Sequence, residues 1–329
     1  MSKILITGAA GLIGSHLSKY LCDLNHNVIG IDDLSGGYED FVDKKVKLYK
    51  YNLIDSDKLA EIFQLEKPDY VYHLAAYAAE GLSHYIRNFN YKNNIICSIN
   101  IINQCIVHDV KKLIFTSSMA VYGFGSPPFR EDQIPSPVDP YGIAKYAIEL
   151  DIKSAHEHFN LNYAIVRPHN VIGVNQNIWD RYRNVIGIWI RQILSDQPIS
   201  IYGDGLQTRA FSDISYYMKP FEVLLTNFNN HIFNIGADQH FKIIDVALLT
   251  QKIAKKHGYD ANIEHLEHRN EVKFAYCDHT NARQMLKFKD NTNIEDTIES
   301  MFLWALKQPH RETKNMSYEI EKKLYSFWK

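Results

Sequence analysis

Tyr141 and Lys145 stand four residues apart in the stretch DPYGIAK. On a helix, residues i and i+4 share a face, and an ammonium held beside a phenol favours the phenolate. A tyrosine titrates near 10 in isolation, so a phenolate working near neutrality needs a fall of about 3 units, roughly 4 kcal/mol. A neighbouring lysine and a cationic cofactor ring are the sources at hand. Such a tyrosine can accept the proton of a sugar hydroxyl while hydride leaves the carbon. The spacing also occurs on ordinary solvated helices, so its weight rests on the elements that would position it.

The chain opens with KILITGAAGLIGSHLSKYL. Ile4, Leu5 and Ile6 form a short apolar run that reads as a buried parallel strand. Gly8, Gly11 and Gly14 follow, and then Leu12, Ile13, Leu17 and Leu21 recur at helical spacing. Strand, glycine turn and helix in this order let the backbone approach a pyrophosphate at a helix N-terminus. The spacing is GxxGxxG and not the usual GxGxxG. A second apolar run, Val28 to Ile31, ends in Asp32 and Asp33. A carboxylate there accepts hydrogen bonds from a ribose 2′-hydroxyl and repels a 2′-phosphate, so NAD is expected over NADP. Further runs at Tyr70–Leu74, Leu113–Thr116 and Tyr163–Val166 alternate with helical stretches. The pattern predicts an α/β fold with a doubly wound, Rossmann-like parallel sheet. HIFNIG (231–236) reads as a late strand of that sheet, so the smaller α/β substrate-binding domain should be interleaved with it. The expected division is a cofactor domain over 1–170, also receiving about 205–240, and a sugar-nucleotide domain over 171–204 and 241–329.

With the glycines, the acidic strand end and YxxxK in order, the chain resembles the extended short-chain dehydrogenase/reductase family, and within it the nucleotide-sugar epimerase/dehydratase branch. The match runs from Lys3 to about Leu286. The resemblance implies an NAD-dependent enzyme with Ser118, in TSSMAVYG, as third catalytic residue beside Tyr141 and Lys145. It implies that the cofactor touches Gly8, Gly11, Leu12, Ile13, Gly14, Asp32, Asp33, Asn52, Leu53, Leu74, Ala75, Ala76, Asn93, Tyr141, Lys145 and Pro168. Asn52 stands where the family usually has Asp bonding the adenine amine; an amide oxygen can accept the same bond. His169, in VRPHNVIG, stands where an aromatic ring is common, and a ring stacked beside the nicotinamide is expected. On the substrate side the resemblance implies Asn170, Asn184, Arg209 and Arg269, the arginines as paired donors to a diphosphate. Arg269 lies in HRNEV, where His268 is its rival.

The residues after Ser118 bear on the reaction. The family's dehydratases, 3,5-epimerases and decarboxylases carry proton-transferring side chains there, whereas this chain has Met119 and Ala120, which transfer none. Chemistry should therefore stop at hydride transfer from C4 of a nucleotide-activated sugar. Two stretches are more distinctive than the core motifs. The segment 75–91 offers Glu80, Ser83 and His84 to the sugar. The segment 175–192 places Trp179, Arg181, Tyr182 and Arg183 ahead of Asn184, with Arg183 expected on the substrate. These stretches resemble a bacterial group and imply a GDP-linked heptose oxidised by a 4-dehydrogenase of capsular synthesis; the alternative is a UDP-hexose 4-epimerase.

Bulk properties narrow the partners. The 329 residues are 46% hydrophobic, and 36 Lys and Arg face 38 Asp and Glu, so the chain lacks the basic footprint of a nucleic-acid or membrane binder. No apolar run reaches a membrane-spanning length, and four scattered cysteines suit a reducing cytoplasm. No metal site is expected from the 15 histidines. The polar segment 310–329, with Tyr318, Ile320, Leu324, Phe327 and Trp328, predicts a terminal amphipathic helix. One-faced helices near 94–108 and 141–158 predict a homodimer or homotetramer. The rival reading is a protein that binds NAD without catalysis, but such proteins usually lose the Tyr or the Lys, and both are present with Ser118.

Overall fold

The computed structural model describes residues 1–269, 271–313 and 315–329. Five apolar runs and the mixed stretch KLYK, which the sequence reading did not single out, become strands β1 (Lys3–Thr7), β2 (Asn27–Asp32), β3 (Lys47–Lys50), β4 (Tyr70–His73), β5 (Lys112–Thr116) and β6 (Tyr163–Pro168), KLYK supplying β3. Four short strands follow, β7 (Val171–Ile172), β8 (Ile199–Tyr202), β9 (Thr208–Ala210) and β10 (Ser212–Asp213), before the chain returns to the main sheet as β11 (His231–Ile235). The seven-stranded sheet has the order β11-β6-β5-β4-β1-β2-β3, and every pair is parallel. The chain winds one way from β1 to β3 and the other way from β4 to β6. A crevice therefore opens between β1 and β4 at the carboxyl ends of the strands, the place where doubly wound sheets bind ligands.

Helices α1 (Leu12–Asp23), α2 (Ser56–Glu66), α5 (Cys97–Val107) and α6 (Pro140–Phe159) are among those that cover the sheet. Between α2 and α5 lie two short helices, α3 (Glu80–Ser83) and α4 (Arg87–Tyr91), the second joined to α5 by a wider π-type turn over Lys92–Ile96. On one face α1 packs with α8 (Met218–Thr226) through Leu17, Leu21, Phe221 and Leu224; on the other, α2, α5 and α6 bury Leu59, Phe63, Ile101, Ile148 and Ile152. A second core joins α7 (Val185–Leu194), α9 (Ile243–Lys256) and α11 (Ile294–Ala305) around Trp189, Ile190, Ile253 and Phe302. β12 (His240–Lys242), β13 (Ile263–Leu266) and β14 (Phe274–Ala275) pair with β9, β8 and β9.

Two expectations need correction. Helix α10 (Thr280–Leu286) does not stay with the smaller part, since Ala282, Leu286 and Phe288 belong to the core beneath α1, α8 and β11. The segment 310–329 is not an amphipathic helix. Among its described residues only Ser326–Trp328 make a single 3-10 turn, and Lys323 adopts a left-handed backbone (φ 59°) that breaks any helix. Its aromatic residues anchor one by one instead. Leu324 and Trp328 pack with Tyr77, Leu82 and Ile86, and Glu319 accepts the N–H groups of Asn88 and Phe89 at the start of α4.

Candidate active site

Two adjoining hollows lie over the crevice. The smaller is lined by Gly8, Gly11, Asp32, Asp33, Gly36, Gly37, Asn52, Leu53, Leu74, Ala75, Ala76, Tyr77, Asn93 and Arg183. The glycine turn is built for close approach. Gly8 has φ +72°, and a Cβ there would fall 2.8 Å from the Ala75 nitrogen; one on Gly14 would fall 2.0 Å from the Gly8 oxygen. A Cβ on Gly37 would fall 2.1 Å from the Ala10 oxygen, so the loop after β2 also lies directly on the turn. The two acids divide their work. Asp32 accepts the Ala10 and Leu34 N–H groups at 2.9 and 2.8 Å, tying β2 to the glycine turn, while the exposed Asp33 accepts from Ser35 and from the Asn52 amide. The Asn52 oxygen already accepts the Ile54 N–H at 2.9 Å, which leaves it one lone pair for an adenine amine. This cradle fits a dinucleotide: small residues where phosphates approach, the N-terminus of α1 facing them, and a carboxylate at the ribose position.

The larger hollow carries the catalytic candidates. Ser118, Tyr141 and Lys145 line it together with Gly11, Leu12, Ile13, Gly14, Glu80, Pro168, Asn170, Asn184, Arg209, Arg269 and Glu271. Asp139 and Pro140 open α6 as N-cap and first residue, and the Asp139 carboxylate accepts the Gly142 N–H at 2.9 Å. That cap fixes the first turn and sets Tyr141 and Lys145 on the face toward β5. The Lys145 ammonium donates to the Thr116 carbonyl at 2.8 Å and lies 4.7 Å above the Phe115 ring. Burial lowers its pKa to about 7, against the upward pull of Glu149. Burial pushes the Tyr141 phenol well up, Glu80 adds to the rise, and the Ser118 hydroxyl draws it back. The lysine-driven fall expected from the spacing is therefore absent in the protein alone. Lys145 stands 6.0 Å from the Tyr141 ring centre and burial lowers its own pKa to about 7, so positive charge from a bound cofactor would further favour the phenolate.

Polar scaffolding holds this wall. Arg167 on β6 and Glu149 on α6 form a fully buried ion pair, and the Ser117 hydroxyl donates to the same carboxylate. His73 bridges Thr7 at 2.7 Å and Ser98 at 2.8 Å behind Lys145, and burial holds its pKa down at about 3.

Several side chains lie elsewhere than the sequence reading placed them. His169 does not line the cleft. Side chains alternate along the extended chain, so Pro168 and Asn170 face the cleft while His169 turns behind it and pairs with His279 at 2.8 Å, which in turn meets Asp238 at 3.0 Å. Of the three candidates in 80–84, only Glu80 reaches the cleft. The buried Ser83 hydroxyl donates back to the Glu80 carbonyl at 2.6 Å, and His84 is exposed outside. Arg183 sits where the two hollows meet, 4.9 Å above the Tyr77 ring, donating to Asp180 and the Gly36 carbonyl, a position that also faces the cofactor side. Asn184 caps α7, its oxygen accepting from Ile186 and Gly187 and its amide donating to Val171. Arg269, and not His268, lines the cleft, 4.3 Å above the Tyr202 ring.

The sequence reading missed Glu271, which pairs with Arg209 at 3.3 Å and Arg269 at 3.6 Å, although it stands in the same HRNEV stretch. It also missed Gly36, Gly37 and Tyr77; the double glycine after Asp33 was the available signal.

The profile described as "NAD dependent epimerase/dehydratase family" matches residues 4–236. A putative UDP-glucose 4-epimerase of Methanocaldococcus jannaschii is 31% identical, the alignment covering 92% of this chain and 97% of that one. A UDP-glucuronate 4-epimerase of Thermodesulfobacterium geofontis is 28% identical over 93% and 96%. Among solved structures, the UDP-glucose 4-epimerase of Thermotoga maritima with UDP-glucose superposes with a TM-score of 0.86 at 29% identity, covering 93% and 99% of the two chains. The UDP-glucuronic acid 4-epimerase of Bacillus cereus, in complex with UDP-glucuronic acid and NAD, gives 0.82 at 28% identity over 92% and 98%.

Proposed function

The chain belongs to the NAD-dependent epimerase/dehydratase family, and from that premise we propose that it oxidises C4 of a nucleoside-diphosphate sugar and returns the hydride to the other face, as a UDP-sugar 4-epimerase. The observation that carries the reading is one cleft lined by Ser118, Tyr141, Lys145 and the glycine turn together with Arg209 and Arg269. NAD, when bound, supplies the hydride acceptor and its positive ring. Ser118 donates to the C4 oxygen and Tyr141 accepts its proton as the carbonyl forms. Lys145 orients the nicotinamide ribose and adds charge beside the phenol. Arg209 and Arg269 hold the diphosphate, and Tyr141 gives the proton back when the alcohol re-forms. Met119 and Ala120 carry no proton-transferring group, so carbons C3, C5 and C6 stay untouched. The names of similar proteins support the UDP-linked 4-epimerase.

A second reading, oxidation of a GDP-linked heptose without return of the hydride, is favoured by one observation. The sugar side of the cleft is built by 75–91 and 175–192, the stretches whose resemblance implies it, through Glu80, Gln176, Asn177, Tyr182 and Arg183. Mixing the NAD-loaded enzyme with UDP- and GDP-sugars tests both. Sugar isomerised at constant mass with no net NADH supports the epimerase, and a 4-keto product with bound NADH supports the dehydrogenase. Full activity of Tyr141→Phe would overturn both.

The assembly in this reading is a homodimer or homotetramer. Ile143 and Leu150 lie seven residues apart on α6 and are exposed, as is Val107 on α5. A cytoplasmic location belongs to the same proposal and is supported by four free, buried cysteines.

A further inference from the structure

A sugar with its C4 oxygen on Ser118 and Tyr141 and its diphosphate on Arg209 and Arg269 must span the cleft between them. Glu80, the first residue of α3, stands beside that span. It lines the cleft, its charge acts on the Tyr141 phenol, and it feels Arg209, Arg269, Glu271 and Asp139. The next residue lies against the anion end, since a Cβ on Gly81 would lie 3.6 Å from the Arg269 guanidinium carbon. Among the described residues no hydrogen bond or ion pair reaches the Glu80 carboxylate; only its main-chain oxygen is engaged, by Ser83. Its charged neighbours have other partners. Arg209 and Arg269 pair with Glu271, and Asp139 caps α6. Glu80 is exposed on the cleft, and desolvation by the surrounding protein, with Asp139 adding to it, raises the pKa of its carboxyl above the usual carboxylate range.

Resting on the C4 reading above, we propose that Glu80 selects the sugar: its carboxylate accepts hydrogen bonds from the hydroxyls of an uncharged sugar and rejects a sugar that carries a carboxylate. The substrate class is thus a neutral sugar nucleotide and not a uronate, in contrast to the similar proteins named for UDP-glucuronate. A hydroxyl donating to a carboxylate makes a charge-assisted bond. A second carboxylate beside Glu80 disfavours joint ionisation, so binding of a uronate is weakened and coupled to uptake of a proton.

The test measures dissociation constants of the NAD-loaded enzyme for UDP-glucose against UDP-glucuronate and for GDP-mannose against GDP-mannuronate. Wild type is expected to favour the neutral member of the better-bound pair by about tenfold or more. Its uronate affinity should rise as pH falls through the Glu80 titration, while neutral-sugar affinity does not. Glu80→Gln keeps the volume and an acceptor but removes the charge. It should bring the preference close to unity and abolish the pH effect, with UDP and GDP alone binding as before. A wild-type enzyme without the preference, or a preference unchanged in Glu80→Gln, overturns the assignment. If Glu80→Gln does not fold, the wild-type ratio and its pH dependence decide alone. A neutral preference in binding with no NADH formed and no sugar isomerised overturns only the C4 reading, and turnover without the preference overturns only the role of Glu80. No binding of any sugar nucleotide overturns both.

Discussion

Replacing Glu149 by Gln should loosen the catalytic wall from behind. Glu149 and Arg167 are 0% and 1% exposed, and the carboxylate accepts from Arg167 and from the Ser117 hydroxyl next to Ser118. A guanidinium does not deprotonate in a protein, so the variant leaves a buried cation facing a neutral amide. Breaking one side of such a pair costs about 3–5 kcal/mol. Gln retains one acceptor, which puts it at about 3 kcal/mol, with Glu149→Leu nearer the upper end. For a chain of this length that is a fall in Tm of about 4–7 °C. The assay is urea unfolding of Glu149→Gln, Glu149→Leu, Arg167→Met and the double variant Glu149→Leu/Arg167→Met. The double variant removes both charges, so it should recover more than half of the single loss. Glu149 also holds up the pKa of Lys145, four residues before it, so the pKa of about 7 should fall further in Glu149→Gln. If turnover needs the ammonium, the alkaline limb of kcat/KM should move to lower pH. A single-variant cost below about 1 kcal/mol, or strictly additive losses in the double, would refute the reasoning.

Buried neutral histidines predict loss of stability in acid. His73 and His169 are both held at about 3 by burial, below the unfolded value near 6.5, so the unfolded chain binds more protons between those limits and stability falls as pH falls. From about pH 7 to 5.5 the pair should remove about 2.5 kcal/mol, and His169→Phe should remove close to half of that slope in urea titrations. Asp33→Ser should raise NADP affinity relative to NAD by about tenfold, read by fluorescence titration, whereas Asp32→Ala should weaken both because Asp32 holds the Ala10 N–H. Leu150→Glu on the exposed α6 face should convert the proposed oligomer to monomer in light scattering, with the far-UV spectrum unchanged.

Local chemistry made much of this protein legible. Glycines spaced for a tight turn, apolar runs of strand length and Tyr141 four residues before Lys145 each act over a few residues, so their meaning survives in one dimension. Gly8, Asp32 and Lys145 could be named from such patterns, as could the parallel sheet with 231–236 as a late strand; Ser118 followed from the family resemblance, and the pairing of β11 with β6 from the structure. Contacts between distant segments were not readable in this way. His169 turns away from the cleft because it meets His279, 110 residues on; Arg183 finds Gly36, 147 residues earlier; and Arg181 donates to Phe327, 146 residues later. The tail could not be read from its own amphipathic pattern, because its aromatic residues answer to Tyr77, Tyr85 and Tyr182 and not to a helical period. Sequence alone thus determined the kind of fold and the Tyr141/Lys145 pair as candidates, which depend on short-range backbone geometry, while Ser118 came from the family resemblance. Tertiary structure decided which of Glu80, Ser83, His84, His268 and Arg269 face the cleft, because the direction of a side chain depends on whatever the rest of the chain packs behind it.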